Sequence, residues 1–256
     1  MEQLESVASF RTWRTSVEGR VGFVPTMGAL HEGHLALVRE SLAVTDVTVV
    51  SIYVNPTQFN NASDLSNYPD TLAADLAALK ELGVDAVFMP TYDEIYPDNF
   101  VYEIDETDFS RELCGAHRPG HFKGVLTVVM KLLNIVQPQK AFFGEKDYQQ
   151  LTLIRGMAEA FFLPVEVIGV ATVRETDGLA MSSRNLNLDD CSRARAPRLH
   201  ALIASTAEDA DVIDTLTAEG FDVDYVVTRG DRRYAAATLG PVDRPVRLID
   251  NVRRAS

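Results

Sequence analysis

The stretch VGFVPTMGALHEGH, Val21 to His34, decides the fold. Val21–Pro25 is apolar and reads as a short buried strand. Thr26-Met27-Gly28 breaks it, and 31–44 (HEGHLALVRESLAV) has helical spacing. A strand that enters a helix through a glycine turn brings backbone N–H groups and the positive end of a helix dipole to the carboxyl edge of a parallel sheet. Phosphate is favoured there without any side chain. His31 and His34, at i and i+3, share a helical face. Both can face a triphosphate, donating hydrogen bonds or positive charge as negative charge moves toward pyrophosphate. A zinc site would prefer HExxH, with i, i+4 spacing and a third ligand. Two incidental surface histidines are the plain alternative.

The same alternation continues on both sides. An amphipathic helix is expected over 3–17, strands over 46–54, 85–89, 140–143 and 165–173, and helices over 72–82, 125–136 and 148–162, with Gly83 as a helix stop and 91–124 rich in loops. Strand and helix in turn predict an α/β fold, a Rossmann-like parallel sheet with helices on both faces. Beyond the polar segment RETDGLAMSSRN, two helices over 189–219 and strands at 222–228 and 245–249 predict a small C-terminal α+β domain. The expected division is 1–172 and 173–256.

The chain of 256 residues is 46% apolar, and its 24 Lys and Arg against 37 Asp and Glu leave a net charge of −13. That balance repels nucleic-acid backbones and anionic lipid, so neither nucleic acid nor a membrane is expected as a partner. A local cluster of Lys, Arg and His can still receive a small anion. No signal peptide and no apolar run of membrane-spanning length is read. Cys114 and Cys191 lie far apart with no metal-type spacing, which suits free thiols in a reducing cytoplasm.

Four further segments carry chemistry. In SIYVNPTQF (51–59), Asn55-Pro56 ends a strand at the sheet edge of the HEGH turn, which aims Gln58 at the same cleft, where it could bind a hydroxy acid. In FGEKDYQQL (143–151), Gly144 permits close backbone approach and Lys146 supplies charge. Gln150 can donate to a carboxylate or accept from a hydroxyl. A solvated helix start with a Glu145/Lys146 charge pair is the plain alternative. In MSSRN (181–185), two hydroxyls and a guanidinium can clamp phosphate oxygens, or simply form a serine turn. In GAHRPGHFKGV (115–125), Arg118 and Lys123 could form an anion site near His121, or sit in a mobile surface loop.

HEGH with MSSRN resembles the two-part signature of the HxGH nucleotidylyltransferase superfamily. PTMGALHEGH, VNPTQF, RPGHFKGV, FGEKDYQQL, MSSRN and the late RLIDN (Arg247–Asn251), in this order, resemble the motif set of the pantoate–β-alanine ligase family, closely over about residues 20–190. The resemblance implies that a pantoate carboxylate attacks the α-phosphorus of ATP, and that the amine of β-alanine takes the acyl group from the resulting adenylate. It implies that His34 and His31 act in catalysis with Lys146 and Arg184, which bind phosphate, while Ser182 and Ser183 close over it. Pro25, Thr26, Met27, Gly28, Gly33, Gly144, Glu145, Asp147, Val173 and Met181 would complete the ATP site, with Asp147 touching the ribose or the amine substrate. Gln58, Gln150, Asn55 and Arg118 would serve the other substrates. Mg²⁺ would accompany the pyrophosphate, with Asp75 as the metal-proximal carboxylate. The C-terminal domain would be a lid in a homodimer. Two residues depart from the family pattern, Asp70 where arginine is usual and Asn187 where an aromatic is common, and the C-terminal domain reads as short. A different amine substrate, a transferase that keeps the nucleotide in its product, and a non-catalytic ATP sensor are the competing readings.

Overall fold

The computed structural model describes residues 1–60, 65–66, 68–69 and 71–254; Asp70 lies outside them. The chain divides into two compact units. One comprises Met1–Glu145 and Gln149–Val170, the other Lys146–Tyr148 and Ala171–Ser256.

The first unit is built on six parallel strands: β1 (Glu2–Leu4), β2 (Val21–Thr26), β3 (Val47–Ile52), β4 (Ala86–Phe88), β5 (Lys140–Gly144) and β6 (Glu166–Val170). Their order across the sheet is β1-β4-β3-β2-β5-β6. The helices are α1 (Val7–Thr15), α2 (Glu32–Val44), α3 (Leu72–Leu82), α4 (Tyr92–Ile95), α5 (Cys114–His117), α6 (His121–Val136) and α7 (Tyr148–Ala160). Both sheet faces are buried, which is why the strands read as apolar runs rather than alternating ones. On one face Val24, Val50, Val87 and Phe142 pack with Leu37 and Val38 of α2 and Leu79 of α3. On the other, Phe10 of α1 meets Phe88 of β4 at 4.9 Å between ring centroids.

Two expectations are corrected here. The helix expected over 3–17 begins only at Val7, because Ser6 caps it by accepting from Ser9 N at 3.0 Å. Glu2–Leu4 instead pairs in parallel with Ala86–Phe88 as an edge strand. The helix expected from 125 starts at His121, so Lys123 and Gly124 belong to its first turn.

In the second unit β7 (Asp222–Arg229), β8 (Arg232–Leu239) and β9 (Val246–Arg253) form an antiparallel sheet in that order. Three helices, α8 (Asp190–Arg195), α9 (Pro197–Ile203) and α10 (Asp209–Ala218), stand where two were expected. Pro197, with no N–H to give, starts a new helix rather than continuing α8. Leu199, Ile203, Val212, Leu216 and Phe221 pack with Val226, Ala235, Ala237 and Leu248. Strand β8, RRYAAATL, was not expected. Its alanines carry little strand signal, yet they are what fits beneath the helices. Arg233 in β8 is fully buried, donating to Ile203 O and Ser205 O at 3.2 Å each and pairing with Asp209 at 2.8 Å.

Candidate active site

The sheet order reverses at β2. From there the chain builds outward through β3 and β4, and β5 and β6 are added on the other side. Such a switch point is where open α/β sheets bind ligands. Its two strands separate early: β2 pairs with β5 only at Gly22–Lys140 and Phe23–Ala141, whereas β2 and β3 pair over six residues. The carboxyl ends, Pro25-Thr26 and Phe143-Gly144, thus flank a crevice. A Cβ added at Gly144 would meet nothing within 4 Å, so close packing does not demand glycine there and the space beside it is open.

The turn from β2 to α2 is held by its own polar groups. Thr26 Oγ1 donates to Ser51 O at 2.7 Å and accepts from Gly28 N at 3.2 Å. Gly28 and Ala29 have φ of 82° and 51°, a left-handed pair that aims successive N–H groups to one side. Those of Ala29 and Leu30 donate to Asp75 Oδ2 and Oδ1, each at 2.9 Å, and Thr71 Oγ1 donates to Oδ2 at 3.1 Å. Both oxygens of this buried carboxylate are therefore engaged by the turn. Asp75, expected beside a metal, is instead the buttress beneath residues 29–30.

His31 is the N-cap of α2. Its Nδ1 accepts from Gly33 N at 3.1 Å, and its own N–H donates to His34 Nδ1 at 3.4 Å, a reciprocal capping box made of two imidazoles 4.1 Å apart. A ring whose Nδ1 accepts a hydrogen bond carries its proton on Nε2. The cap therefore makes both histidines Nε2–H donors in the neutral form, which sharpens the expected choice between donated hydrogen bonds and positive charge.

Gln58 lies in the 3₁₀ turn Pro56–Gln58, with Nε2 3.2 Å from Met27 Sδ, so the glutamine expected to bind a hydroxy acid stands against the phosphate turn. Asn55 is 1% exposed and fully employed. Its Nδ2 donates to Gly124 O and Gln58 Oε1 at 3.3 and 3.1 Å, and its Oδ1 accepts from Thr57 Oγ1 and Tyr96 OH at 3.0 and 2.8 Å. A backbone carbonyl can only accept, so Gly124 fixes the direction of the Asn55 amide. Asn55 in turn fixes that of Gln58, leaving the Gln58 NH₂ facing Met27. Asn55, expected to touch substrate, orients the residue that would. Gly124 must be glycine, since a Cβ there would come 2.4 Å from Thr57 O. Arg118 and His121 donate to Gln58 O at 3.3 and 2.9 Å, and Arg118 also donates to His121 Nε2 at 3.1 Å. Lys123, considered with Arg118 as an anion site, is paired with Glu103 at 3.0 Å. Burial of the Tyr96 hydroxyl pushes its pKa up to about 12 and raises that of Tyr53 further, so both phenols stay protonated. Gln150 sits in the first turns of α7, half-buried and without a side-chain hydrogen bond among the described residues. Its neighbour Gln149 is used structurally by Cys114 N, Phe109 O and Glu112 O.

Of the remaining expected residues, Glu145 belongs to the first unit and the others to the second. Lys146 and Asp147 form a 3₁₀ turn with Nζ and Oδ2 3.9 Å apart. Val173 O accepts from Met181 N at 3.0 Å, and the Arg174–Ala180 bridge between them closes a small hairpin turned at Gly178. MSSRN follows directly. Ser182 caps the 3₁₀ segment Ser183–Asn187 by accepting from Arg184 N at 3.3 Å, and Asn187 is exposed. Tyr96, Gly124, Asp250 and Asn251 were not assigned roles in advance. RLIDN was visible as a motif, but what its last two residues hold depends on partners 76 and 105 positions away.

A parallel sheet whose switch point carries a histidine-capped turn, with a cluster of polar side chains beside it, has the form of a nucleotide-binding α/β enzyme. A family model described as Pantoate-beta-alanine ligase matches residues 2–253. The pantothenate synthetase of Bdellovibrio bacteriovorus is 53% identical over 98% of both chains, and that of Coxiella burnetii is 45% identical over 97% of this chain and 95% of its own. Among solved structures, the Francisella tularensis pantoate-beta-alanine ligase, complexed with beta-gamma ATP and beta-alanine, superposes with a TM-score of 0.93 at 38% identity, covering 99% and 97% of the two chains. The Thermus thermophilus pantothenate synthetase does so with a TM-score of 0.89 at 40% identity, covering 99% of each. This chain belongs to the pantoate-beta-alanine ligase family. The family match runs through the C-terminal part, which was expected to be short, as far as residue 253.

Proposed function

We propose that this chain condenses pantoate with β-alanine at the expense of ATP, through residues placed as follows. The pantoate carboxylate attacks the α-phosphorus, pyrophosphate leaves, and the β-alanine amine then displaces AMP from the acyl adenylate. The observation that carries this reading is the contact of Gln58 with Met27. It sets the Gln58 side chain against the turn between β2 and α2, which supports a pantoate carboxylate bound by Gln58 lying beside the α-phosphorus of an ATP held by that turn. His31 and His34 offer Nε2–H donors to the triphosphate. That of His34 strengthens its hold as charge builds on the leaving pyrophosphate. Gly144 leaves room for the nucleotide, with Pro25, Thr26, Met27, Gly28, Gly33 and Glu145 around it. Lys146, Ser182, Ser183 and Arg184 bind phosphate oxygens; Asp147, Val173 and Met181 contact the nucleoside end. Gln150, whose amide has no hydrogen-bond partner among the described residues, grips pantoate together with Gln58.

Among the described residues no group of three or more His, Cys, Asp or Glu side chains could cage a metal ion, and Asp75 is committed to backbone. These residues do not fit a resident Mg²⁺. The ion is proposed to arrive on the ATP phosphates, as is usual for magnesium, and no step here is routed through it. Among the described residues no helix is long and apolar enough to cross a membrane. A cytoplasmic homodimer, the C-terminal unit acting as lid, completes the reading. Pyrophosphate–ATP exchange that requires pantoate but not β-alanine, with AMP release that requires both, is the expected behaviour. AMP release that continues at multiple turnover with the amine withheld refutes it.

A further inference from the structure

Asp250 and Asn251, adjacent on β9, take no part in the chemistry above, yet between them they hold both phosphate-binding segments of the second unit. Asp250 accepts a bidentate pair from Arg174 at 2.7 and 2.9 Å, and His200 Nδ1 lies 3.2 Å away on the other side. Arg174 also donates to Gly178 O at 3.1 Å, which secures the hairpin that leads into Ser182–Arg184. Asn251 is 5% exposed and reaches the other segment. Its Nδ2 donates to Lys146 O at 2.9 Å, and its Oδ1 accepts from Arg232. The Arg232 guanidinium in turn lies 3.6 Å over the Tyr148 ring, so the chain is gripped on both sides of Asp147.

We infer that Asn251 is a positioning residue for Lys146, holding its backbone in register with the Ser182–Arg184 turn that Asp250 anchors. This rests on the phosphate-binding reading of Lys146 given above. Consecutive strand residues point to opposite faces about 3.3 Å apart along the chain. One rigid strand therefore sets the relation between two cationic segments that must meet a single triphosphate. An amide suits position 251: it donates to a carbonyl and accepts from a guanidinium at once, which neither a carboxylate nor an aliphatic side chain can do.

The test is a double-mutant cycle between Asn251 and Lys146, read in pyrophosphate–ATP exchange with ATP and pantoate varied in turn. Asn251→Asp keeps the acceptor for Arg232 and removes the donor to Lys146 O. Asn251→Ala removes both. Each is expected to raise the KM for ATP about 3- to 10-fold, the effect of losing the hydrogen bond to Lys146 O that both substitutions remove, with the KM for pantoate unchanged and a native circular-dichroism spectrum. In a Lys146→Ala background, itself impaired for ATP, the same substitutions should change the KM for ATP less than about twofold. Equal factors in both backgrounds, or a pantoate KM that moves as much as that for ATP, overturns the positioning role while leaving Lys146 as a phosphate ligand. A Lys146→Ala enzyme with normal KM for ATP overturns the phosphate reading, and the inference with it.

Discussion

Replacing Asp75 by asparagine should loosen the phosphate turn without touching substrate. The carboxylate accepts from Ala29 N and Leu30 N through separate oxygens, and an amide offers only one acceptor to this pair. One charge-assisted hydrogen bond, worth about 1.5–3 kcal/mol, is lost, and one N–H is left facing an NH₂ group, at a cost of about 1–3 kcal/mol. Partial relaxation brings the sum to about 3 kcal/mol, well below the roughly 5–15 kcal/mol that holds a domain folded. The protein should remain native at 25 °C with a Tm lowered by roughly 5–10 °C. The strain falls on the segment that carries the cap of His31 and His34. At about 1.4 kcal/mol per decade, kcat/KM for ATP should fall on the order of 10- to 100-fold. Thermal unfolding and pyrophosphate exchange measure the two effects. Unchanged Tm and unchanged kinetics refute the buttress. Normal stability with a raised Mg²⁺ requirement restores the metal reading instead.

Four further outcomes are expected. His34→Ala should keep the fold and lower the exchange rate by about 10²–10³, the usual cost of one preorganised donor; near-normal turnover removes His34 from the mechanism. Gly124→Ala should push the Pro56–Gln58 turn away, since its Cβ would lie 2.4 Å from Thr57 O; this is checked by a KM for pantoate that rises more than that for ATP. Tyr96→Phe removes one of two donors to Asn55 Oδ1, so about 1 kcal/mol of stability and a severalfold pantoate effect are expected from denaturant titration and kinetics. In acid, two carboxylates lose native interactions. Asp98 is held at about 2 by hydrogen bonds from Lys131 and Tyr102 N. Asp250 is pulled below the ordinary range by His200 and Arg174, against burial that works to raise it. Both values are depressed on folding, so their stabilisation is present above the ordinary carboxylate pKa near 4 and lost as pH falls toward 2. A Tm flat from about pH 7 to 5 that drops between about pH 4 and 2 is expected in a circular-dichroism series.

The parallel sheet was legible because strands buried on both faces read as unbroken apolar runs and each ends in its own turn signal. The short edge strand Glu2–Leu4 was not legible. Three residues carry no period, and only its register with Ala86–Phe88 makes it a strand. Strand β8 stayed hidden behind alanines whose suitability depends on the helices above them. At the candidate site, His31, His34 and Gln58, which the fold brings to the turn between β2 and α2, could be picked out by residue type and spacing. The duties of Asn55 and Asp75 could not, because both are polar residues near a motif, and only their buried partners reveal that the fold uses up their hydrogen bonds. Tyr96 gave no local signal at all: its hydroxyl reaches Asn55 across 41 positions of chain.

The imidazole capping box of α2 has a consequence for anyone seeking a sturdier enzyme. Serine, threonine, aspartate and asparagine are the favoured N-caps, and glutamate or glutamine is the usual reciprocal partner at the third position. Histidine at both places is a weaker way to begin a helix, and here it leaves two aimed N–H donors for the triphosphate proposed above. His31→Ser with His34→Glu should therefore yield a protein that withstands heat better and turns over hardly at all. A library screened for thermal survival alone would drift toward that pair and discard the catalyst, the familiar conflict between stability and activity confined here to a single helical turn.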